Sequence, residues 1–159
     1  MPELPQRKRP RLPREAYRAG GVFSVTIGTE QRHPWFLRYP QLADHAVETL
    51  RRVAEGRSAQ LYAWCVMPDH VHCLVEDRDL VDFVKRFKGP LTALARKLDY
   101  GRKLWQQSFY DHGLRREESV REVARYIWHN PVRAELVERA ADYCWSGSAV
   151  WANWTMDIL

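Results

Sequence analysis

Two histidines separated by one residue are the first feature of this sequence that could do chemistry. His70 and His72 stand in the apolar run of residues 70–75, whose composition is typical of a β-strand. Because successive side chains of a strand point to opposite faces, both imidazoles are expected on one face. Two neutral imidazoles placed in this way can chelate a divalent metal ion. Such a pair also occurs for purely structural reasons, so the spacing alone leaves both readings open.

A tyrosine and an asparagine one helical turn apart form the second feature. Apolar residues between positions 120 and 127 predict the buried stripe of a helix, and Tyr126 and Asn130 fall together on a neighbouring face. The two side chains could therefore reach one site. On helix geometry alone, Tyr126 could equally be a half-buried aromatic. Asn130 directly before Pro131 also has the pattern of a helix N-cap followed by proline.

Four strands and three helices are predicted to position these residues. The sequence predicts strands at 22–27, 60–67 and 70–76, an extended segment at 105–115, and helices at 41–56, 80–98 and 118–129. Gly89-Pro90 predicts a kink or break in the second helix, and Glu117-Glu118 is expected to open the third. This order favours an α+β sandwich, with an antiparallel sheet and helices mainly on one face.

The composition indicates a single domain that binds a polyanion. The chain has 159 residues, a net charge of +5 and a pI of about 9.3, and basic residues strengthen binding to phosphates by releasing counterions. Residues 1–18 combine basic residues with four prolines, which predicts a flexible basic arm before one domain at 19–159. A merely solubilising tail is the alternative for the arm.

Cysteine usage and hydropathy exclude several classes of protein. The three cysteines form no CxxC pair, so neither a disulfide framework nor a thiolate zinc cluster is indicated, and a reducing cytoplasm is favoured. The basic N-terminus is followed by no apolar signal segment, and no stretch of about 18 apolar residues occurs. We therefore expect neither secretion nor a membrane-spanning segment.

Three motifs in this order resemble the REP-associated tyrosine transposases, relatives of the insertion-sequence transposases that use a single tyrosine. The motifs are MPDHVH at 67–72, LWQQSFYDH at 104–112 and YIWHNPVRA at 126–134. The resemblance extends over about residues 17–150 and includes a first strand like that of the family. It implies a ferredoxin-like fold, which agrees with the predicted order of strands and helices.

The resemblance also implies a site of the kind named HUH after its histidine motif. His70 and His72 would be metal ligands, Tyr126 the nucleophile and Asn130 the third protein ligand. Many single-tyrosine relatives have Gln at the position of Asn130, and the common Gly after Arg-Ala is Glu135 here, which should affect only a turn. Two imidazoles and one amide oxygen leave positions for water or phosphate, which suits Mg²⁺ or Mn²⁺ better than a closed zinc site.

The implied reaction is cleavage and rejoining of single-stranded or hairpin DNA, as in REP-like hairpins, through a 5′-phosphotyrosine. Asp111, His112 and His129 are candidates for supporting that chemistry, although a hydrogen-bonded structural histidine is an equal interpretation of His112. The chain is expected to be a monomer or homodimer, in the cytoplasm of a prokaryote and associated with its nucleoid. Candidates for DNA contact are Arg7, Arg14, Arg18, Lys85, Arg86, Lys88, Arg96, Lys97, Gln106 and Arg115.

Two other functions are compatible with the same residues. A hydrolytic metalloenzyme would use His70 and His72 with water as the nucleophile, and its Tyr126→Phe variant would remain active. A DNA-hairpin-binding protein that has lost catalysis would bind irrespective of metal and of Tyr126. For the basic helix face at residues 85–97, a solvated surface is the commoner explanation.

Overall fold

Five strands form one antiparallel sheet with the spatial order β4-β1-β3-β2-β5. The computed structural model describes residues 15, 17, 20–115 and 117–158, without side-chain detail at 157 and 158. The strands are β1 (Val22–Gly28), β2 (Gln60–Met67), β3 (His70–Glu76), β4 (Tyr110–Gly113) and β5 (Ser146–Gly147).

Two β-helix-β units generate the first four strands of this order. The helices are α1 (Trp35–Arg38), α2 (Pro40–Gly56), α3 (Leu80–Leu98), α4 (Val120–Trp128) and α5 (Asn130–Arg133). The connection through α2 joins β1 to β2, and the connection through α3 joins β3 to β4, so each passes over a strand that lies between. This is the split arrangement of a ferredoxin-like fold. The predicted α+β class and antiparallel sheet are confirmed.

The two faces of the sheet carry separate apolar clusters. The larger cluster joins Val25, Ile27, Val71 and Cys73 of the sheet to the buried sides of α2 and α3. The smaller one joins alternate sheet residues such as Leu74 to α4 and the C-terminal tryptophans. The two longest helices thus share one face, and the shorter α4 and α5 cover the other. None of the helices in the described ranges is long and apolar enough to cross a bilayer.

The second predicted helix does not break at its proline. Pro90 lies inside α3, which is assigned without interruption from Leu80 to Leu98. A proline removes only one hydrogen bond of the helix, and Pro90 is exposed while Phe87 and Leu91 are buried on the core side. Apolar packing on both sides of the proline therefore keeps the two halves in one helix.

The third predicted helix begins two residues later than expected. Ser119 is its N-cap and accepts a hydrogen bond from the backbone N–H of Glu122, at 3.3 Å. Glu118 lies before the helix and accepts instead from the backbone of Arg115, at 2.9 Å. The serine caps better than a glutamate because its short hydroxyl reaches the free N–H groups of the first turn.

The predicted basic arm lies largely outside the described part of the chain. Residues 1–14, 16 and 18 are not among the described ones, so the candidates Arg7, Arg14 and Arg18 have no structural account here. Tyr17, near the end of the predicted arm, is fully buried and contacts Phe23, with ring centroids 5.9 Å apart. Tyr17 therefore belongs to the core and not to an arm.

Candidate active site

The hairpin of β2 and β3 presents both histidines on the face that α4 covers. A two-residue turn, Pro68-Asp69, joins the strands so that Met67 pairs with His70 and Cys65 with His72. Val71 and Cys73 point to the opposite face and are fully buried there. The predicted alternation is confirmed, and its apolar half holds the histidine strand in the core.

A carboxylate orients His70 from behind. Its Nδ1 lies 2.8 Å from Oδ1 of Asp69, which also forms an ion pair of 3.1 Å with Arg32. Burial alone would raise the pKa of Asp69, but the hydrogen bond and charge of His70, with those of Arg32, bring it below its usual value. An ionised carboxylate only accepts, so Nδ1 carries the proton and the lone pair of Nε2 is available to a ligand.

His72 is held between two elements by both of its ring nitrogens. Asn130 donates from Nδ2 to Nδ1 of His72 at 2.9 Å, and Nε2 lies 3.0 Å from the hydroxyl oxygen of Ser24 on β1. Desolvation, with repulsion from His70 when that ring is protonated and from Arg133, lowers the pKa of His72 to about 3. The imidazole is therefore neutral at neutral pH, the state in which it can bind a metal ion.

Helix α4 is fixed to the sheet by its apolar side. Ala124, Ile127 and Trp128 are fully buried, and Trp128 donates from Nε1 to the backbone oxygen of Gly147 on β5, at 2.9 Å. Burial of one tryptophan is worth on the order of 4–6 kcal/mol as an upper bound. This anchoring leaves Tyr126 on the outer side, where its residue is 60% exposed.

The side chain of Asn130 is directed at the histidines and does not cap a helix. Helix α5 begins at Asn130 itself with His129 as its cap residue, and no side-chain capping bond forms there. The N-cap interpretation of Asn130-Pro131 is therefore wrong. The carboxamide instead joins the start of α5, the helix that follows the one bearing Tyr126, to the strand of His72, 58 residues away in the sequence.

Arg133 connects Tyr126 to Asn130, a role that was not predicted from the sequence. Its guanidinium carbon lies 3.8 Å from the centroid of the Tyr126 ring. The same group donates to the backbone oxygen of Tyr126 at 2.7 Å and to Oδ1 of Asn130 at 3.1 Å. Arg133 follows Tyr126 by seven residues and Asn130 by three along a nearly continuous helix, and this spacing could have predicted that the three side chains share a face. The guanidinium restricts an otherwise exposed tyrosine through a cation–π contact.

Gln106 approaches the same face at the end of β1. Its backbone N–H donates to the oxygen of Gly28 at 3.0 Å, and Gly28 pairs with His70 across the sheet. A side chain at Gly28 would collide with Gln106, since a Cβ there would lie 2.9 Å from Oε1. Gly28 thus admits the Gln106 carboxamide beside the histidine strand.

The three candidates for supporting residues have different surroundings. His112 pairs with Ser24 and so shares the histidine face, but its Nε2 lies 3.1 Å from Oε1 of Glu118. Asp111 points to the opposite face and accepts a 3.4 Å hydrogen bond from Tyr17. His129 donates from Nδ1 to the backbone oxygen of Arg125 at 2.7 Å. The structure therefore brings none of the three into hydrogen-bonding contact with Tyr126, His70 or His72.

The basic candidates divide according to their partners. Arg86 is bonded to Asp82 at 2.8 Å, and Lys88 donates to the backbone oxygen of Gln106 at 3.2 Å. Lys85, Lys88 and Arg96 line a cavity beside α3, whereas Lys97 and Arg115 are exposed elsewhere. Of the basic candidates on α3, only Lys85, Lys88 and Arg96 thus line the cavity.

The residues present fit a hard divalent ion with open coordination positions. No group of three or more His, Cys, Asp or Glu residues that could hold a metal occurs in the described ranges, so a closed zinc site is not formed there. His70 has a free Nε2, whereas Nδ1 of His72 accepts a hydrogen bond from Nδ2 of Asn130, so an ion held by these residues would take the place of that bond. Two imidazoles and one amide leave room for water or phosphate oxygens, as Mg²⁺ and Mn²⁺ require.

Comparisons with known proteins identify the family and agree with the fold. The family model described as "Transposase IS200 like" matches residues 23–130. A REP-associated tyrosine transposase of Escherichia coli (strain K12) is 28% identical over 137 residues, which cover 84% of this chain and 79% of the relative. A REP-associated tyrosine transposase bound to a REP hairpin has a similar fold, with a TM-score of 0.65 and 24% identity over 90% of this chain and 82% of that one. The chain belongs to the family of IS200-like transposases.

Proposed function

We propose that this protein is a metal-dependent DNA strand transferase in which Tyr126 attacks the DNA backbone. The observation that carries the proposal is the 2.9 Å hydrogen bond between Asn130 and His72. It joins α5, which follows directly after the helix that bears the exposed tyrosine, to the strand that bears the two histidines. The site thus combines a nucleophile with candidate metal ligands, which a structural histidine pair would not require.

His70, His72 and Asn130 would hold the ion. A bound Mg²⁺ or Mn²⁺ would supply polarisation of the scissile phosphate and would neutralise its developing charge. The contribution of the chain is positional. Asp69 fixes the ring of His70, Ser24 fixes the ring of His72, and Arg133 limits the motion of the Tyr126 ring.

The proposed reaction conserves the phosphodiester bond. The phenolic oxygen of Tyr126 forms a bond to phosphorus while the bond from phosphorus to the 3′ oxygen breaks. The phenol loses its proton to solvent, and the departing oxygen takes one up to become a free 3′-OH. The downstream strand remains attached as a 5′-phosphotyrosine. Attack by a 3′-OH reverses the step without ATP, which is why a covalent tyrosine suits strand transfer better than water does.

Hairpin DNA with unpaired flanks is the proposed substrate. A nucleophile on an exposed helix face needs an accessible strand, and a similar protein has been solved with a REP hairpin. Lys85, Lys88 and Arg96 are the proposed backbone contacts, with Gln106 at the histidine face. Their positive charge agrees with the net charge of +5.

The test is the formation of a covalent adduct. A hairpin labelled at its 3′ end is mixed with the protein and Mg²⁺ or Mn²⁺, and adducts that survive denaturation are counted. Tyr126→Phe is expected to abolish the adduct. Tyr62→Phe is the matched control, because Tyr62 lies at the opposite end of the sheet and is bonded to Glu76.

Each of the other outcomes would indicate a different function or a different reaction. Cleavage that persists in Tyr126→Phe without an adduct would indicate a hydrolase that uses water. Tight binding without cleavage would indicate a DNA-binding relative that has lost catalysis. A label at the 5′ end that stays with the protein would indicate a 3′-linked adduct and contradict the proposed polarity.

A further inference from the structure

A cavity of about 1010 Å³ lies between α3 and the segment of residues 100–109. Its size is at the upper end of the range of about 300–1,000 Å³ that is usual for small-molecule pockets. The floor is apolar, since Trp105 and Leu104 are 5% and 2% exposed and pack under the segment. The indole of Trp105 contacts Phe87, with ring centroids 5.7 Å apart, and donates to the backbone oxygen of Lys88 at 3.4 Å.

The rim of this cavity is strongly basic. Its lining includes five basic residues and no acidic ones, namely Lys85, Lys88, Arg96, Arg102 and Lys103. Arg102 and Lys103 are partly neutralised by Asp99 and Glu30, at 3.3 and 3.8 Å. Lys85 and Arg96 are exposed and form no ion pair within the described ranges. The uncompensated charge lies on the α3 side.

An exposed aromatic ring stands at the same rim. Tyr100 is 93% exposed, and Gly101 after it has a φ of +90°, a conformation that glycine adopts without strain. A large exposed aromatic beside basic side chains is the combination that binds unpaired nucleotides, because bases stack on the ring while cations hold the phosphates. A peptide or an apolar ligand would not require this charge.

The cavity is connected to the histidine face through Gln106. Gln106 lines the cavity and also lies against Gly28, whose partner across the sheet is His70. Trp105 forms a bridge with Thr29 at the end of β1, so the segment is fixed to the strand that leads to the site. A strand of DNA that lies against His70 can therefore continue over Gln106 into the cavity.

We propose that this cavity binds an unpaired nucleotide of the strand that flanks the scissile phosphate, with its base stacked on Tyr100 and its phosphate on Lys85 and Arg96. The proposal rests on the proposed function, since it assigns a place to part of the same DNA. It predicts that binding of the unpaired flank depends on Tyr100, and that binding of the double-stranded stem does not. Gln106 and Gln107 supply carboxamides at the cavity that can bond base edges.

The experiment uses hairpins with and without an unpaired flank, and places the fluorescent base 2-aminopurine at each flank position in turn. Binding is measured with the Tyr126→Phe protein, so that no covalent chemistry is required. We expect quenching at one or two flank positions. Tyr100→Ala should abolish this quenching and weaken binding of the flanked hairpin about 5- to 100-fold, with no change for the hairpin without a flank.

A double variant and a matched control separate base stacking from charge. Lys85→Ala with Arg96→Ala should weaken binding of the flanked hairpin and lower its salt dependence. Arg52→Ala, an exposed basic residue of α2 that pairs with Glu48, should leave both unchanged. Unaltered quenching in Tyr100→Ala would overturn the proposal. So would an equal loss of affinity for hairpins with and without the flank.

The two proposals fail in different ways. If the wild-type protein forms no adduct but the flank is quenched in a Tyr100-dependent manner, the strand-transfer proposal fails and the cavity assignment stands. If the adduct forms, but Tyr100→Ala changes neither the quenching at the flank nor the affinity for the flanked hairpin, only the cavity assignment fails.

Discussion

Acid should destabilise the metal-free protein through His72. Desolvation lowers the pKa of this imidazole from 6.5 to about 3 in the folded state. Below pH 6.5 the unfolded chain therefore binds a proton at His72, whereas the folded protein does not bind one until the pH approaches 3. The contribution of the neutral imidazole to the free energy of unfolding is complete above pH 6.5 and is lost as the pH falls towards 3. Each pH unit in this window lowers the free energy of unfolding by about 1.4 kcal/mol, so that it is about 2.7 kcal/mol lower at about pH 4.5.

The assay compares the wild-type protein with His72→Gln after removal of metal by EDTA. Urea denaturation gives the free energy of unfolding near pH 7 and near pH 4.5 for both proteins. The wild type should lose about 2.7 kcal/mol more than the variant over this interval, because other titrating groups act in both. This loss is a large fraction of the roughly 5–15 kcal/mol that stabilises a domain. Equal losses in the two proteins would refute the assignment of a partly buried imidazole that stays neutral in the folded state.

Three further predictions concern the surroundings of the site. Gly28→Ala should displace the Gln106 carboxamide, which a Cβ would approach to 2.9 Å, and slow adduct formation about 10- to 100-fold in single-turnover assays. Arg133→Lys keeps the charge but loses the planar group that stacks and donates two bonds. It should slow adduct formation about tenfold, since charged hydrogen bonds are worth about 1.5–3 kcal/mol, while hairpin affinity changes little. Lys85→Ala with Arg96→Ala should reduce the slope of log affinity against log salt by about 1.4, at about 0.7 for each single-strand phosphate contact.

Each of these results has a contrary outcome. A Gly28→Ala protein with unaltered kinetics would show that Gln106 has no part in the reaction, and denaturation curves control for loss of the fold. If Arg133→Lys weakens binding but not the rate of adduct formation, the arginine contacts DNA and does not position Tyr126. An unchanged salt slope would remove Lys85 and Arg96 from the DNA path.

Local patterns predicted most of the fold because they report directly on burial. The alternation in residues 70–76 predicted which side of β3 carries the histidines, and the structure confirms it. The apolar spacing of residues 80–98 predicted α3 with its bounds. Strand β5 has only two residues, which is too short for any period, and it depends on the packing of Gly147 under Trp64.

The contacts between distant elements could not be predicted from spacing. The bond from Asn130 to His72 and the approach of Gln106 to Gly28 depend on how α4 and the segment before β4 dock on the sheet. Helix geometry alone left Asn130 as a plausible N-cap, and only the tertiary structure turns its side chain towards the histidines. The bonds of His112 and Asp111 to Glu118 and Tyr17 are likewise consequences of tertiary packing.

The most direct test of the account is to identify the residue that carries the DNA. The adduct formed with Mg²⁺ or Mn²⁺ is digested with a nuclease and with trypsin, and the nucleotide-bearing peptide is sequenced by mass spectrometry. Trypsin cuts after Arg125 and Arg133, so Tyr126 lies in the peptide of residues 126–133. The expected result is a nucleotide 5′-phosphate on Tyr126 in this peptide. A nucleotide on another tyrosine, or cleaved DNA without any modified peptide, would contradict it.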